Sequence, residues 1–167
     1  VYNYVPTKDP ETLQQIIFDI DGQYPYAVRP SDNNGVGTIS LADTFYSIRQ
    51  KWPNLADSEE ELRRRLFHEV GHHVEFGTDS SKFSQQFIKD RATGDRKPLN
   101  EVDPTYSATV PVYPDDFVLA YTGRIYPDGD TELVSTGLEH LRNAQNALLL
   151  YERDRQHFMY LIGLLRK

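Results

Sequence analysis

The stretch LFHEVGHHVE, residues 66–75, decides how this chain is read. His68 and His72 stand four positions apart, which on a helix is one face, so the two imidazoles can converge on one metal ion. Glu69 is offset from that pair by one position. It can reach water at the ion without ligating it, as a general base in metal-assisted hydrolysis must. His73 points about 100° away from His72 around the helix and cannot share the ion. A shuffled chain of this composition contains HExxH about once in a hundred times. Context therefore has to carry the rest, against the alternative of surface or core-edge histidines paired with nearby carboxylates.

That context is the clearest helix in the sequence, Ser58 to Phe76. Ser58 with Glu61 three residues on has the form of a capping box, and Glu59, Glu60 and Glu61 complement the positive helix N-terminus. Leu62, Leu66, Val70 and Val74 form an apolar stripe. Gly71 permits close packing opposite the metal, Phe67 and Val74 flank the motif, and Gly77 is a fitting terminator.

Working outward, Asp9 to Ile20 has helical periodicity through Leu13, Ile16, Ile17 and Ile20. Tyr24 to Arg29 and Val36 to Leu41 read as short strands around the turn sequence SDNNG, residues 31–35. Downstream, Lys82 to Lys89 suits a short helix, and Arg91 to Pro114, rich in Pro, Asp, Asn and Thr, suits an irregular connection or lid. Phe117 to Ile125 fits strand or helix equally. YPDGD, residues 126–130, is a turn, followed by a helix from Thr131 to Arg142 capped by Asp130, and by a last helix from Arg153 to Arg166. The order predicts a single α+β domain over residues 1–167.

With 167 residues, 38% hydrophobic and 26% charged, the chain has an ordinary globular balance. It has no cysteine, which removes disulfides, thiolate metal sites and cysteine nucleophiles. A net charge of -7, from 18 Lys+Arg against 25 Asp+Glu, argues against nucleic acid as a partner. The cluster Arg63, Arg64, Arg65 reads as a solvated helix face before it reads as a phosphate site. No apolar run reaches the roughly 18 residues of a membrane-spanning helix. The chain opens at Val1 without a basic or apolar leader, suggesting a processed chain or a piece of a longer one. The compartment stays open, with the cytoplasm favoured.

Catalytic zinc takes three protein ligands and keeps one position open, so two histidines are too few. The metzincin pattern would need Gly at 75 and His or Asp at 78, where Glu75 and Thr78 stand. The GTxxD arrangement would need Asp at 81, where Ser81 stands, although Asp79 is close by. A deformylase-type site would need a cysteine. The segment TELVSTG, residues 131–137, resembles the second helix of the gluzincin metallopeptidases, in which HExxH is followed by a helix of the form ExxS(D). That resemblance implies Glu132 as third ligand, with Ser135 or Thr136 as hydrogen-bonding support. Thr136 stands where the family commonly has Asp. Glu139, seven residues beyond Glu132, is the reserve ligand or a supporting carboxylate. The stretch DDFVLAYTGRIY, residues 115–126, resembles the one that precedes the Glu helix in gluzincin-like domains, toxin peptidases among them. Of the tyrosines that precede the Glu132 helix, Tyr113, Tyr121 and Tyr126, it implies Tyr121, then Tyr126, as the group that meets a developing oxyanion. HEVGHH with the late YPDG and TELVSTGLE segments is also similar to metallopeptidase-like domains attached to phage head-morphogenesis proteins.

What the resemblance implies is a zincin-like fold, with a short edge-strand sheet packed on an active-site helix and a helical C-terminal part. The strand GTISLAD, residues 37–43, would be the edge along which an extended peptide adds. The implied activity is a Zn2+-dependent endopeptidase acting on protein or peptide. Its metal would be held by His68, His72 and Glu132, with Glu69 as base and Tyr121 on the oxyanion. Two alternatives stay open: a metal-stabilised interaction module without catalysis, and metal-dependent hydrolysis of a non-peptide amide. No membrane or nucleic-acid partner is expected, and oligomeric state is not legible. His140 and His157 lack a partner at ligand spacing and read as solvent-facing or capping.

Overall fold

The computed structural model describes residues 15–17, 26–29, 37–41, 54–77 and 80–166. The chain runs β1 (Gln15–Ile17), β2 (Tyr26–Val28), β3 (Thr38–Ser40), α1 (Leu55–Gly77), α2 (Ser81–Arg91), β4 (Lys97–Pro98), α3 (Leu99–Val102), β5 (Pro111–Val112), a 3-10 turn (Ala120–Gly123), α4 (Leu133–Leu141), α5 (Ala144–Arg153) and α6 (Arg155–Leu165). It is an α+β arrangement in which the helices outweigh the strands.

The small sheet has the order β1-β3-β2, with β1 parallel and β2 antiparallel to the central β3. Two expectations change here. Residues 15–17 are strand, where the periodicity of residues 9–20 predicts helix; the remainder of that segment lies outside the described residues. Ile16 and Ile17 are β-branched, and pairing with β3 outweighs a weak local preference. The edge strands among the described residues are β1 and β2, whereas GTISLAD supplies the central β3, buried from Thr38 through Ser40. The SDNNG turn lies outside the described residues, but the antiparallel β2–β3 pairing agrees with a hairpin reading.

Helix α1 begins earlier than the capping-box reading places it. Asn54 Oδ1 accepts the Ala56 amide at 3.0 Å, and Ser58 already donates its own amide to the Asn54 carbonyl at 3.1 Å. Asn54 is therefore the N-cap, and Ser58 is a buried residue inside the helix. The apolar stripe holds: Val70 and Val74 are buried in the main core with Ile39, Leu41, Val134, Leu138, Leu150, Leu161 and Leu164, and Leu62, Leu66 and Phe67 pack against it.

Helix α1 lies against α4 at near-backbone distance. A Cβ on Gly71 would stand 2.4 Å from Ser135 Cα, so only glycine permits this crossing. Helix α4 begins at Leu133 with Glu132 as its N-cap residue and no side-chain cap, so Asp130 does not cap it. Asp130 instead pairs with Arg29 at the end of β2. The turn before it closes with Gly129 donating to the Tyr126 carbonyl at 3.1 Å, Gly129 having a φ of 96°.

The segment from Arg91 to Pro114 is ordered by pairing rather than irregular. β4 pairs with β5, Thr93 donates to the Pro114 carbonyl at 2.9 Å, and Leu99 is fully buried. At the C-terminal end the expected last helix is present as α6, and a further helix not read from the sequence, α5, precedes it. Asn143 and Asp154 cap α5 and α6, each accepting a backbone amide three residues on. No helix among the described residues is long and apolar enough to cross a membrane.

Candidate metal centre and its cleft

Because α1 and α4 touch at Gly71 and Ser135, the inward face of α1 meets the N-terminal end of α4. His68, His72 and Glu132 converge there, with a potential ligand atom of each within 4.8 Å of the others. Glu132 Oε2 lies 3.2 Å from His68 Nε2 and 3.6 Å from His72 Nε2. Tetrahedral ligands at about 2.0–2.1 Å from a zinc ion stand about 3.3 Å from one another. The cluster thus has the spacing, and two imidazoles with one carboxylate the chemistry, to accept such an ion.

Supporting groups fix each of these side chains. His68 Nδ1 donates to Glu139 Oε1 at 2.6 Å, which turns Nε2 toward Glu132. Glu139 in turn accepts from Arg64 Nη1 at 2.8 Å. Glu132 Oε2 accepts from Ser135 Oγ at 2.7 Å, and Oε1 accepts from the Tyr126 hydroxyl at 2.5 Å. Thr136 bonds the Glu132 backbone carbonyl and the Thr122 hydroxyl, so it supports the chain rather than the carboxylate. Glu139 belongs to the supporting carboxylates, not to the converging trio.

The electrostatics follow from that packing. Burial opposes charge on His68, but the Glu139 hydrogen bond and the carboxylates of Glu132, Glu139 and Glu69 outweigh it and raise its pKa to about 9. Surroundings that favour a proton on His68 favour a divalent cation between the same side chains. His72 is lowered to about 4, chiefly by burial, so it keeps a free ring lone pair at neutral pH. Burial also resists the charge on Glu132, yet His72, His68, Ser135 and Tyr126 hold it below the ordinary carboxylate range. Glu69 is different. Burial is its largest influence and, with the carboxylates of Glu132 and Glu139, raises it to about 7 against the pull of His68.

These groups open on a cleft of about 320 Å³ that His68, Glu69, His72, Tyr121, Tyr126 and Glu132 share with Tyr26 and Ala27 of β2. A second depression of about 590 Å³ continues past His68, Glu69 and Tyr121 toward Arg65, Tyr106 and Leu119. Tyr121 therefore faces both halves. Tyr113 lines neither and packs against the smaller core cluster of Ile88, Phe117, Ile125 and Leu133.

The remaining histidines are structural. His73 Nε2 donates to the Thr38 carbonyl at 2.7 Å, tying α1 to β3. His157 and His140 are buried, which corrects their solvent-facing reading; their ring nitrogens donate to the carbonyls of Leu133 and Thr136 at 2.7 and 2.9 Å. Of the arginine cluster, Arg64 and Arg65 both bind Glu61, so two of its three members are committed within α1.

Three contributors to the site escape sequence reading. Glu75, fully buried, accepts from the Thr131 amide at 3.1 Å and hydroxyl at 2.7 Å, fastening the approach to Glu132 onto α1. It lies three residues beyond His72, so helical spacing marks its face but not its partner. Arg64, one turn before His68, carries the same kind of signal. Arg124, which bonds Tyr121 and stacks on Tyr126, carries none.

Comparison of the chain with protein-family models, with curated proteins and with solved structures finds no significant match to any of them.

Proposed function

We propose that this domain is a zinc-dependent endopeptidase with a zincin-like, gluzincin-type site. The observation that carries the reading is the convergence of His68, His72 and Glu132 with Glu69 beside them on the wall of an open cleft. An interaction module built on a structural ion has no need of a further buried carboxylate facing the cleft at that place.

A zinc ion, when bound, supplies Lewis acidity toward water and toward the scissile carbonyl. His68, His72 and Glu132 would hold it. Glu69 accepts a proton from the attacking water at a carboxylate oxygen and returns it to the leaving nitrogen as the C–N bond breaks. The Tyr121 hydroxyl, on the cleft wall, donates to the oxygen that gains charge as the carbonyl carbon becomes tetrahedral. An extended peptide can add to β2, whose Tyr26 and Ala27 line the same cleft.

The test is cleavage of a mixed peptide library by zinc-replete protein, read by mass spectrometry, with Glu69→Gln as control. Wild type should cleave and the variant should lose about 10²–10⁴-fold in rate while keeping equal zinc. Equal turnover by both, or none by zinc-loaded wild type, would sink the proposal.

A further inference from the structure

Tyr121 and Tyr126 stand together, with hydroxyl oxygens 3.3 Å apart, and each has a single proton to donate. Tyr126 gives its proton to Glu132 Oε1. The separation between the two hydroxyls is long for an O–H···O bond, so Tyr126 holds the Tyr121 proton only weakly, and the Glu132 carboxylate is the other acceptor within its reach. Arg124 touches both rings. Its Nη1 donates to the Tyr121 hydroxyl oxygen, and its guanidinium carbon lies 3.9 Å from the centre of the Tyr126 ring. Its backbone carbonyl also accepts the Glu132 amide at 3.2 Å. Arg124 is not among the residues that line either half of the cleft.

We infer that Arg124 is a positioning residue that divides the labour of the two tyrosines, stacking Tyr126 in place as the donor to Glu132 and turning the Tyr121 hydroxyl toward the cleft. The physical reason lies in the hydroxyl's inventory. By filling an acceptor position of Tyr121 Oη with a charged donor, Arg124 disfavours arrangements in which Tyr121 accepts from Tyr126. Tyr126 is then left with the carboxylate as its acceptor. A planar guanidinium can bond one phenol edge-on while stacking on the next, which a lysine cannot do. The catalytic half of this inference rests on the peptidase reading; the positioning half does not.

The experiment has two independent readouts. In zinc-replete protein acting on a peptide that wild type cleaves, Arg124→Met should lower kcat by about 10–100-fold with KM little changed and zinc content intact. In a Tyr121→Phe background the same substitution should cost clearly less than in wild type, because the share of its effect that passes through the Tyr121 hydroxyl is already lost. Arg124→Lys, which keeps a charge and a donor, should restore part of the loss and covers the case in which Met disturbs folding. Separately, in metal-free protein labelled at tyrosine 13Cζ, the Tyr121 resonance, assigned by its loss in Tyr121→Phe, should shift in Arg124→Met and partly return in Arg124→Lys. Fully additive losses in the cycle, or an unmoved Tyr121 resonance, would overturn the inference. Absence of any peptide cleavage by wild type would remove the peptidase reading alone, since the resonance still decides the positioning.

Discussion

Glu69 and Glu139 lie on either side of His68 and differ by what they touch. Glu139 accepts from His68 and Arg64, and although burial resists its charge these partners hold its carboxyl below the ordinary range. Glu69 has no hydrogen-bond partner among the described residues, and burial raises it instead. The same contrast separates Glu132 from Glu139 as groups around an ion. Glu132→Ala removes one of three converging donors and should abolish stoichiometric zinc binding. Glu139→Ala frees the His68 ring to turn and should weaken binding by only about 10–100-fold. Competition titration against a chromophoric chelator measures both, and equal losses would show that Glu139 ligates directly.

At the scale of elements, the centre depends on how closely α1 and α4 approach. Two donors come from α1, and the third precedes the first turn of α4, so widening the gap pulls Glu132 away from the histidines. Gly71→Ala puts a methyl carbon against the Ser135 backbone, which cannot move aside as a side chain would. We expect a loss of about 1–3 kcal/mol in denaturant unfolding of the metal-free protein, together with weaker zinc binding. Unchanged stability would mean that the helices do not pack as described. The Glu75–Thr131 bonds brace the same junction from the other end of α1.

For the whole molecule, the C-terminal helices support the site from behind. His157 on α6 donates to the carbonyl of Leu133, the first residue of α4, and lies against Gly137. Burial lowers its pKa to about 4, so the folded state keeps it neutral where an unfolded histidine, titrating near 6.5, takes up a proton. Between those values the unfolded chain binds more protons, and stability must fall as pH falls from about 6.5 toward 4. His157→Gln retains a side-chain donor without that titration. Its unfolding free energy should depend less steeply on pH across this window than that of the wild type. Parallel curves for the two proteins would place the acid sensitivity elsewhere.

What the sequence by itself determined is what local periodicity and chemistry can encode. HEVGHH on a long amphipathic helix puts His68 and His72 on one face, and the apolar stripe through Val70 and Val74 says which face is buried. The absence of cysteine limits the donors to nitrogen and oxygen. Short-range rules erred where a tertiary partner, or a competing local one, outweighed the preference they read. β3 recruits residues 15–17 into strand, Asn54 takes over the cap from Ser58, and buried carbonyls claim His140 and His157. Only the tertiary structure decided that Glu132 converges with the histidines while Glu139 supports His68. Both carboxylates sit on one helix face seven residues apart, and the crossing at Gly71 and Ser135 selects between them. Arg124 is the clearest case of the same limit. Nothing in its spacing marks it, because its role comes from two phenol rings that the turn before α4 folds against it.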